Sequence, residues 1–107
     1  MMQHVLMKIK LKPGSKPRLM EYVKEFDRRR KECDDSLAAE GADLESFFMD
    51  GDTLYVFKHV KDLAEARKYQ KSSDMPIYKT VTGLWEDCIE KLEDIHSILA
   101  FETNPKA

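Results

Sequence analysis

Cysteine and long apolar runs are scarce in this sequence of 107 residues. Only Cys33 and Cys88 are present, far apart in segments with helical patterning, so we predict two free thiols, a reducing cytoplasm and no metal site. No apolar run approaches the roughly 20 residues of a membrane span, and the first residues do not have the pattern of a signal peptide. The composition therefore predicts a cytoplasmic protein without membrane contact.

An excess of positive charge is also missing. The chain has 18 lysines and arginines against 20 aspartates and glutamates, for a net charge of −2. Because a general nucleic-acid binder needs a basic surface, we predict no nucleic-acid partner. Hydrophobic residues make up 42% and charged residues 36%, which is typical of a folded globular chain. We expect one domain over residues 1–103 and a flexible tail at 104–107.

Alternating apolar residues predict the strands. Residues 4–12 alternate with period two and stop at a Pro-Gly pair, which is typical of a strand with one buried face. Residues 44–49 and 54–60 flank Asp50-Gly51-Asp52 and predict a hairpin. Residues 98–102 predict a last strand.

Apolar residues at steps of three and four predict the helices. One stripe, from Leu19 to Leu37, predicts a helix that ends near Ala39. After a short helix at 63–70, a second long stripe starts at Ile77 and predicts a helix to about Asp94, with Trp85 in the core.

The resulting order is β-α-β-β-α-β, a ferredoxin-like α+β fold with a four-stranded antiparallel sheet. Two helices cover only one face of such a sheet, and large residues are predicted on the other face, which is too apolar to stay in contact with water. We therefore expect a homodimer with the two sheets packed face to face; the alternative is a monomer whose open face binds another partner. The residues assigned to this open face are Leu6, Lys8, Phe47, Met49, Tyr55, Phe57 and His59.

Three segments carry a family resemblance: the first helix with Tyr22, residues 37–57, and the Ser-Ser-Asp-Met-Pro break at 72–76. Together they resemble the dimeric α+β barrel superfamily, nearest to the L-rhamnose mutarotases and small uncharacterised bacterial relatives. The superfamily also includes muconolactone isomerases and the antibiotic-biosynthesis and haem-degrading monooxygenases. In the mutarotases a catalytic histidine follows the helix tyrosine by four residues, where this chain has Phe26. Their tryptophan pair after the break is replaced by residues 77–80.

This resemblance implies cofactor-independent chemistry on a small polar metabolite, such as interconversion of sugar anomers. One group must then protonate the ring oxygen while another deprotonates the anomeric hydroxyl. We predict His59 and Tyr22 in these catalytic roles, because a histidine exchanges protons near neutral pH and the tyrosine position matches the family. The alternatives are a hydrogen-bonded histidine at the barrel rim and a tyrosine that only packs in the core.

Four further residues are predicted to orient the substrate: Lys8, Arg30, Glu45 and Tyr55. A lysine on the barrel face needs an anionic partner, so the alternative for Lys8 is a structural ion pair with Glu45 or Glu102. We predict no cofactor. Two other functions remain open, a non-catalytic interaction module and a cofactor-independent monooxygenase.

Overall fold

Four strands and four helices follow one another in residues 2–103, the part of the chain that the computed structural model describes. The predicted tail at 104–107 lies outside the described residues. The sheet order is β2-β3-β1-β4 with every neighbouring pair antiparallel, which confirms the ferredoxin-like α+β fold. The elements are β1 Gln3–Leu11, α1 Lys16–Arg28, α2 Arg30–Ala39, β2 Ala42–Asp50, β3 Thr53–Val60, α3 Leu63–Ser72, α4 Ile77–Cys88 and β4 Ile89–His96.

The hydrophobic core lies between the helices and one face of the sheet. Alternate residues of β1 and β3 are buried there and form one hydrophobic cluster with residues of α1 and α4. This matches the predicted alternation, because successive strand residues point to opposite faces. The largest fully buried side chains are Leu19, Leu54, Ile77, Val5, Val60 and Cys88. No helix within residues 2–103 is long and apolar enough to cross a membrane.

The hairpin turn corrects the predicted face of two β2 residues. Gly51-Asp52 forms a two-residue turn, with Gly51 at a φ of +60°. Met49 therefore lies opposite Leu54, and Phe47 lies opposite Val56, on the helix side of the sheet. The prediction of Phe47 and Met49 on the open face was wrong, because a turn one residue longer moves every side chain of the strand to the other face.

The first long helix is interrupted at Arg29, where the backbone has φ −110° and ψ 41°. Arg29 donates to Thr80 Oγ1 at 2.7 Å, which ties this break to α4. The Arg29 side chain is 16% exposed, whereas that of Arg30 is 80% exposed.

The second long helix ends at Cys88, and the last strand follows it immediately. The predictions of a helix to Asp94 and of a strand at 98–102 were therefore wrong. A β-bulge explains the error: Ile89 pairs with Leu11, and the pairing then shifts so that Leu92 faces the core together with Ile89. Because Ile89 and Leu92 are three residues apart and both face the core, their spacing resembles that of a helix.

Candidate functional site

A cavity of about 340 Å³ lies between the helix side of the sheet and the helices that cover it. Its walls are largely apolar, and it reaches solvent near Trp85 and Phe47, each of which is 42% exposed. The prediction of Trp85 as a core residue was therefore wrong, because α4 places it at the opening. Apolar clefts of this size with a few polar groups are typical of small-molecule sites. The main apolar lining residues are Met7, Phe26, Phe47, Leu54, Val56 and Trp85.

Lys58 is the most unusual residue of this cavity. It occupies an inward position of β3, between Val56 and Val60, and is only 2% exposed. Its ammonium group donates to Glu40 at the end of α2 and lies 3.6 Å from Glu45 Oε2. An isolated buried ammonium is strongly disfavoured, so the two carboxylates are what permits a lysine there.

Glu45 lies beside Lys58 on β2 and also lines the cavity. Its side chain is 26% exposed. Burial raises the pKa of Glu45, and the negative charge of Glu40 adds to this effect, while Lys58 opposes it. The net pKa is above the ordinary value of a glutamate. A carboxyl group with a raised pKa in a cleft is suited to accept and return protons.

Tyr78 completes the cluster on the helix side. Its hydroxyl donates to Glu40 Oε2 at 2.6 Å, and Glu40 is itself buried. Burial, followed by the hydrogen bond to Glu40, raises the pKa of Tyr78 far above the ordinary value for tyrosine. Tyr78 therefore stays a neutral donor that fixes Glu40, and Glu40 in turn fixes the ammonium of Lys58. Within residues 2–103 every buried side-chain nitrogen and oxygen has a hydrogen-bond partner.

A second cation lines the cavity. Arg67 of α3 donates to both carboxylate oxygens of Asp94 on β4, at 2.5 and 2.7 Å. This bidentate pair holds the guanidinium in place. The hydrogen bond to Asp94 also raises the pKa of Arg67. Lys58 and Arg67 are thus positive groups of the cavity wall that carboxylates hold in place.

Two of the six predicted site residues line the cavity, Glu45 and Arg30. Arg30 lies at its exposed edge, where it forms an ion pair with Asp27 at 2.7 Å. Glu45 contacts Lys58, so the alternative of a Glu45 partner for Lys8 was wrong. The hairpin register is the reason, because it places Glu45 on the helix side of the sheet.

Tyr22 is buried in the core and lies outside the cavity lining. Its hydroxyl donates to Asp87 Oδ2 at 2.6 Å, and the Arg18 guanidinium lies 4.7 Å from its ring centre. The hydrogen bond to Asp87 raises the pKa of Tyr22. Tyr22 therefore joins α1 to α4, and the sheet lies between it and His59.

His59, Lys8 and Tyr55 all lie on the open face of the sheet. Lys8 is directly opposite Tyr55 in the β1–β3 pairing and is exposed. His59 is opposite His4, and the two Nε2 atoms are 3.0 Å apart. Burial by itself lowers the pKa of His59, but hydrogen bonds to Glu102 and Asp43 outweigh it, so the net pKa is raised. The structure does not bring His59 and Tyr22 into one site.

Sequence reasoning did not identify three members of the cavity cluster: Lys58, Glu40 and Tyr78. Only Lys58 gives a local signal, because it interrupts an otherwise apolar inward face of β3. Glu40 and Tyr78 are separated by 38 residues along the chain, so their contact depends on how α2 packs against α4.

Solved structures share this fold over nearly the whole chain. A putative antibiotic biosynthesis monooxygenase from Nitrosomonas europaea has a TM-score of 0.63 at 9% identity, covering 96% of this chain and 94% of that one. An L-rhamnose mutarotase from Formosa agariphila has a TM-score of 0.58 at 19% identity, with 94% and 98% covered. A conserved protein from Methanosarcina mazei Go1 has a TM-score of 0.59 at 18% identity, with 90% of each chain covered.

These similarities confirm that the chain shares its fold with antibiotic-biosynthesis-monooxygenase-like and rhamnose-mutarotase-like structures. No curated protein matches the chain in sequence. One family model matches residues 2–104, which is almost the complete chain. The chain therefore belongs to the family of unknown function DUF6176.

Proposed function

We propose that this protein binds a small polar metabolite in the cavity and transfers protons on it without a cofactor, in the manner of a sugar mutarotase or related isomerase. One observation carries the proposal. Glu45, whose pKa is raised, lies 3.6 Å from the buried ammonium of Lys58 at the wall of a 340 Å³ cavity. Buried charges lower the stability of the fold unless they are well paired. Carboxyl groups with a perturbed pKa concentrate at functional sites.

The groups present have complementary roles. Lys58 donates to an oxygen of the substrate and stabilises negative charge that develops on it. Glu45 accepts a proton from a hydroxyl or an acidic carbon and returns it at a second position. The apolar wall near Trp85 packs against the face of a sugar ring. The prediction that His59 and Tyr22 perform the proton transfer stays untested, and the proposal assigns that role to Glu45 because Glu45 lines the cavity.

Anomer exchange measured by NMR on a panel of reducing sugars tests this proposal. The wild type should accelerate exchange of at least one sugar. Glu45→Gln should lose at least about 100-fold of that rate, the lower range for a general acid–base group, while it keeps the fold. Glu65→Gln is the matched control, because Glu65 is exposed on α3 and does not line the cavity. No acceleration with any sugar, or equal rates in both variants, would overturn the proposal.

A cofactor-independent monooxygenase is the second candidate. The aromatic side chains at the cavity opening favour it, because Trp85, Phe47 and Phe26 form a wall suited to an aromatic ring. The structural similarity to a putative antibiotic biosynthesis monooxygenase supports the same candidate function. An electron-rich aromatic substrate, deprotonated by Glu45, would itself supply the electrons to oxygen. Oxygen uptake with polyphenols, lost in Glu45→Gln, separates this activity from isomerisation.

The open face of the sheet supports the proposal of a homodimer. Phe48, Leu44 and Ile95 are between 44% and 56% exposed there, beside the partly buried Leu6 and Phe57. A second copy of the chain would cover this apolar surface. The alternative is a non-catalytic interaction module that uses the same face for another protein. The free thiols of Cys33 and Cys88 also support a cytoplasmic location.

A further inference from the structure

Three potential metal ligands converge on the open face of the sheet, away from the cavity. They are His4 of β1, His59 of β3 and Glu102, which follows β4. One donor atom of each lies within 4.8 Å of the other two. His59 Nε2 is 2.5 Å from Glu102 Oε1, and His4 Nε2 contacts the same carboxylate oxygen. Both histidine side chains are largely buried, at 19% and 15% exposure.

The spacing of the two imidazoles suits a metal ion. Two nitrogens that face each other across 3.0 Å can share only one proton or one cation. Two ligands about 2.0–2.1 Å from a metal, at angles between 90° and 109°, are about 2.9–3.4 Å apart. The side chain of Glu102 is 40% exposed on an irregular segment, so its oxygen can move the few tenths of an ångström that a bound ion requires.

Asp43 adds an orienting contact behind the histidine pair. His59 Nδ1 donates to Asp43 Oδ1 at 2.6 Å, which leaves Nε2 directed at His4 and Glu102. Asp43 lies at a β-bulge of β2, where the pairing with β3 shifts between Ala42 and Leu44. Bulges re-aim side chains, and a carboxylate behind a histidine is a common arrangement at zinc sites.

We propose that His4, His59 and Glu102 bind a divalent transition-metal ion such as Zn²⁺. Two histidines and one carboxylate form a frequent protein ligand set for zinc, and the fourth position stays open to water or another ligand. The ion would join β1, β3 and the segment after β4, which holds Glu102 98 residues away from His4 along the chain. The site is on the opposite side of the sheet from Lys58 and Glu45, so the proposal is independent of the proposed function.

Titration of the whole chain with Co²⁺ alone, followed by its visible absorption and by calorimetry, tests the site. We expect one Co²⁺ per chain, tetrahedral absorption bands, and displacement by Zn²⁺. His59→Gln and Glu102→Gln should each weaken binding at least about 100-fold. His96→Gln is the matched control, since His96 is the third histidine of the chain and is exposed outside the cluster, and its affinity should stay within about twofold of the wild type.

Circular dichroism of each variant separates loss of ligand from loss of fold, and His4→Gln provides a third independent ligand variant. Asp43→Asn should keep one ion per chain but bind it about 10–100-fold more weakly, as expected for a residue that orients a ligand. Binding of less than one ion per chain by the folded wild type would overturn the proposal. Equal affinity in wild type, His59→Gln and Glu102→Gln would overturn it as well.

Discussion

Lys58 and Glu45 lie directly opposite each other on β3 and β2, with their charged atoms 3.6 Å apart at the wall of the cavity. Glu40 holds the same ammonium from the other side, so one buried cation is shared by two carboxylates. This arrangement couples the stability of the fold to the chemistry of the cavity. Substitutions that change the charge balance should therefore affect both.

Removal of the lysine charge should destabilise the protein strongly. Lys58→Met keeps the long apolar stem but leaves Glu40 buried without a cation, and we expect a loss of about 3–5 kcal/mol in the free energy of unfolding. Lys58→Met combined with Glu40→Gln should recover at least half of this loss, because the buried Glu40 carboxylate is then absent and the remaining Glu45, with a side chain that is 26% exposed and a raised pKa, can take up a proton. Urea denaturation of the two single variants and the double variant measures the coupling. Additive losses would contradict the shared ion pair.

The raised pKa of Glu45 predicts how stability depends on pH. Because the folded chain binds this proton more tightly than the unfolded chain, Glu45 stabilises most fully below its ordinary pKa of 4.5. That contribution is lost as the pH rises through the folded pKa. The charged and titratable groups that face Glu45 are Lys58, Glu40 and Cys33, whose thiol pKa is raised by burial and by Glu45.

The wild type should therefore lose stability relative to Glu45→Gln as the pH increases from about 4 to about 8. Parallel urea denaturation of both proteins across this range gives the difference in the free energy of unfolding. A difference that is constant with pH, or that changes in the opposite direction, would contradict the raised pKa.

Tyr22 lies so close to Gly83 that the effect of Gly83→Ala on stability should depend on the Tyr22 hydroxyl. A Cβ atom added at Gly83 would lie 2.8 Å from Tyr22 Oη, closer than real contacts allow, while the next ring atom is at 3.5 Å. Gly83→Ala should therefore destabilise the wild type. In a Tyr22→Phe background the same change should be neutral or stabilising by up to about 1 kcal/mol, since alanine favours a helix over glycine. Thermal unfolding of the four proteins checks this.

Tyr22→Phe alone should cost about 1 kcal/mol through the lost hydrogen bond to Asp87. Its activity in any assay that Glu45→Gln abolishes should stay unchanged, because Tyr22 lies outside the cavity lining. If Tyr22→Phe lost most of the activity but kept its fold, the result would contradict this expectation and support the catalytic role of Tyr22 predicted from the sequence.

The proposed homodimer predicts a molar mass near twice the 12.5 kDa of one chain. Phe48→Asp should give the mass of one chain, because Phe48 is 56% exposed on the open face, opposite Tyr55. Met20→Lys is the control, since Met20 is 41% exposed on α1, on the helix side. Light scattering at micromolar concentration measures all three. A wild-type mass of one chain would contradict a stable dimer.

Much of the fold could be predicted from local patterns. The alternation in β1 and β3 and the order of elements required only the positions of apolar residues and of the Pro-Gly and Asp-Gly turns. The predictions were wrong where a single residue, in a turn or a bulge, changes the register of strand pairing. The length of the hairpin turn decided the face of Phe47 and Met49, and the bulge at Glu90 made β4 resemble the end of a helix.

The candidate sites were harder to predict because they depend on contacts distant in sequence. Lys58 could be recognised as a charge on an inward face, but its contact with Glu40 requires the packing of α2 against the sheet. His4 and His59 are 55 residues apart and meet only through the pairing of β1 with β3. For this reason the prediction of no metal site, drawn from sequence spacing alone, could not anticipate the cluster.

The central claim is that the cavity beside Lys58 and Glu45 binds a small polar molecule. Amide chemical shifts recorded during titration with reducing sugars and small organic acids test it most directly. We predict saturable shifts centred on Glu45, Val56 and Lys58 for at least one compound, and their loss in the Lys58→Met and Glu40→Gln double variant. Absence of shifts with every compound at millimolar concentration, or saturable shifts confined to the open face of the sheet, would contradict the claim.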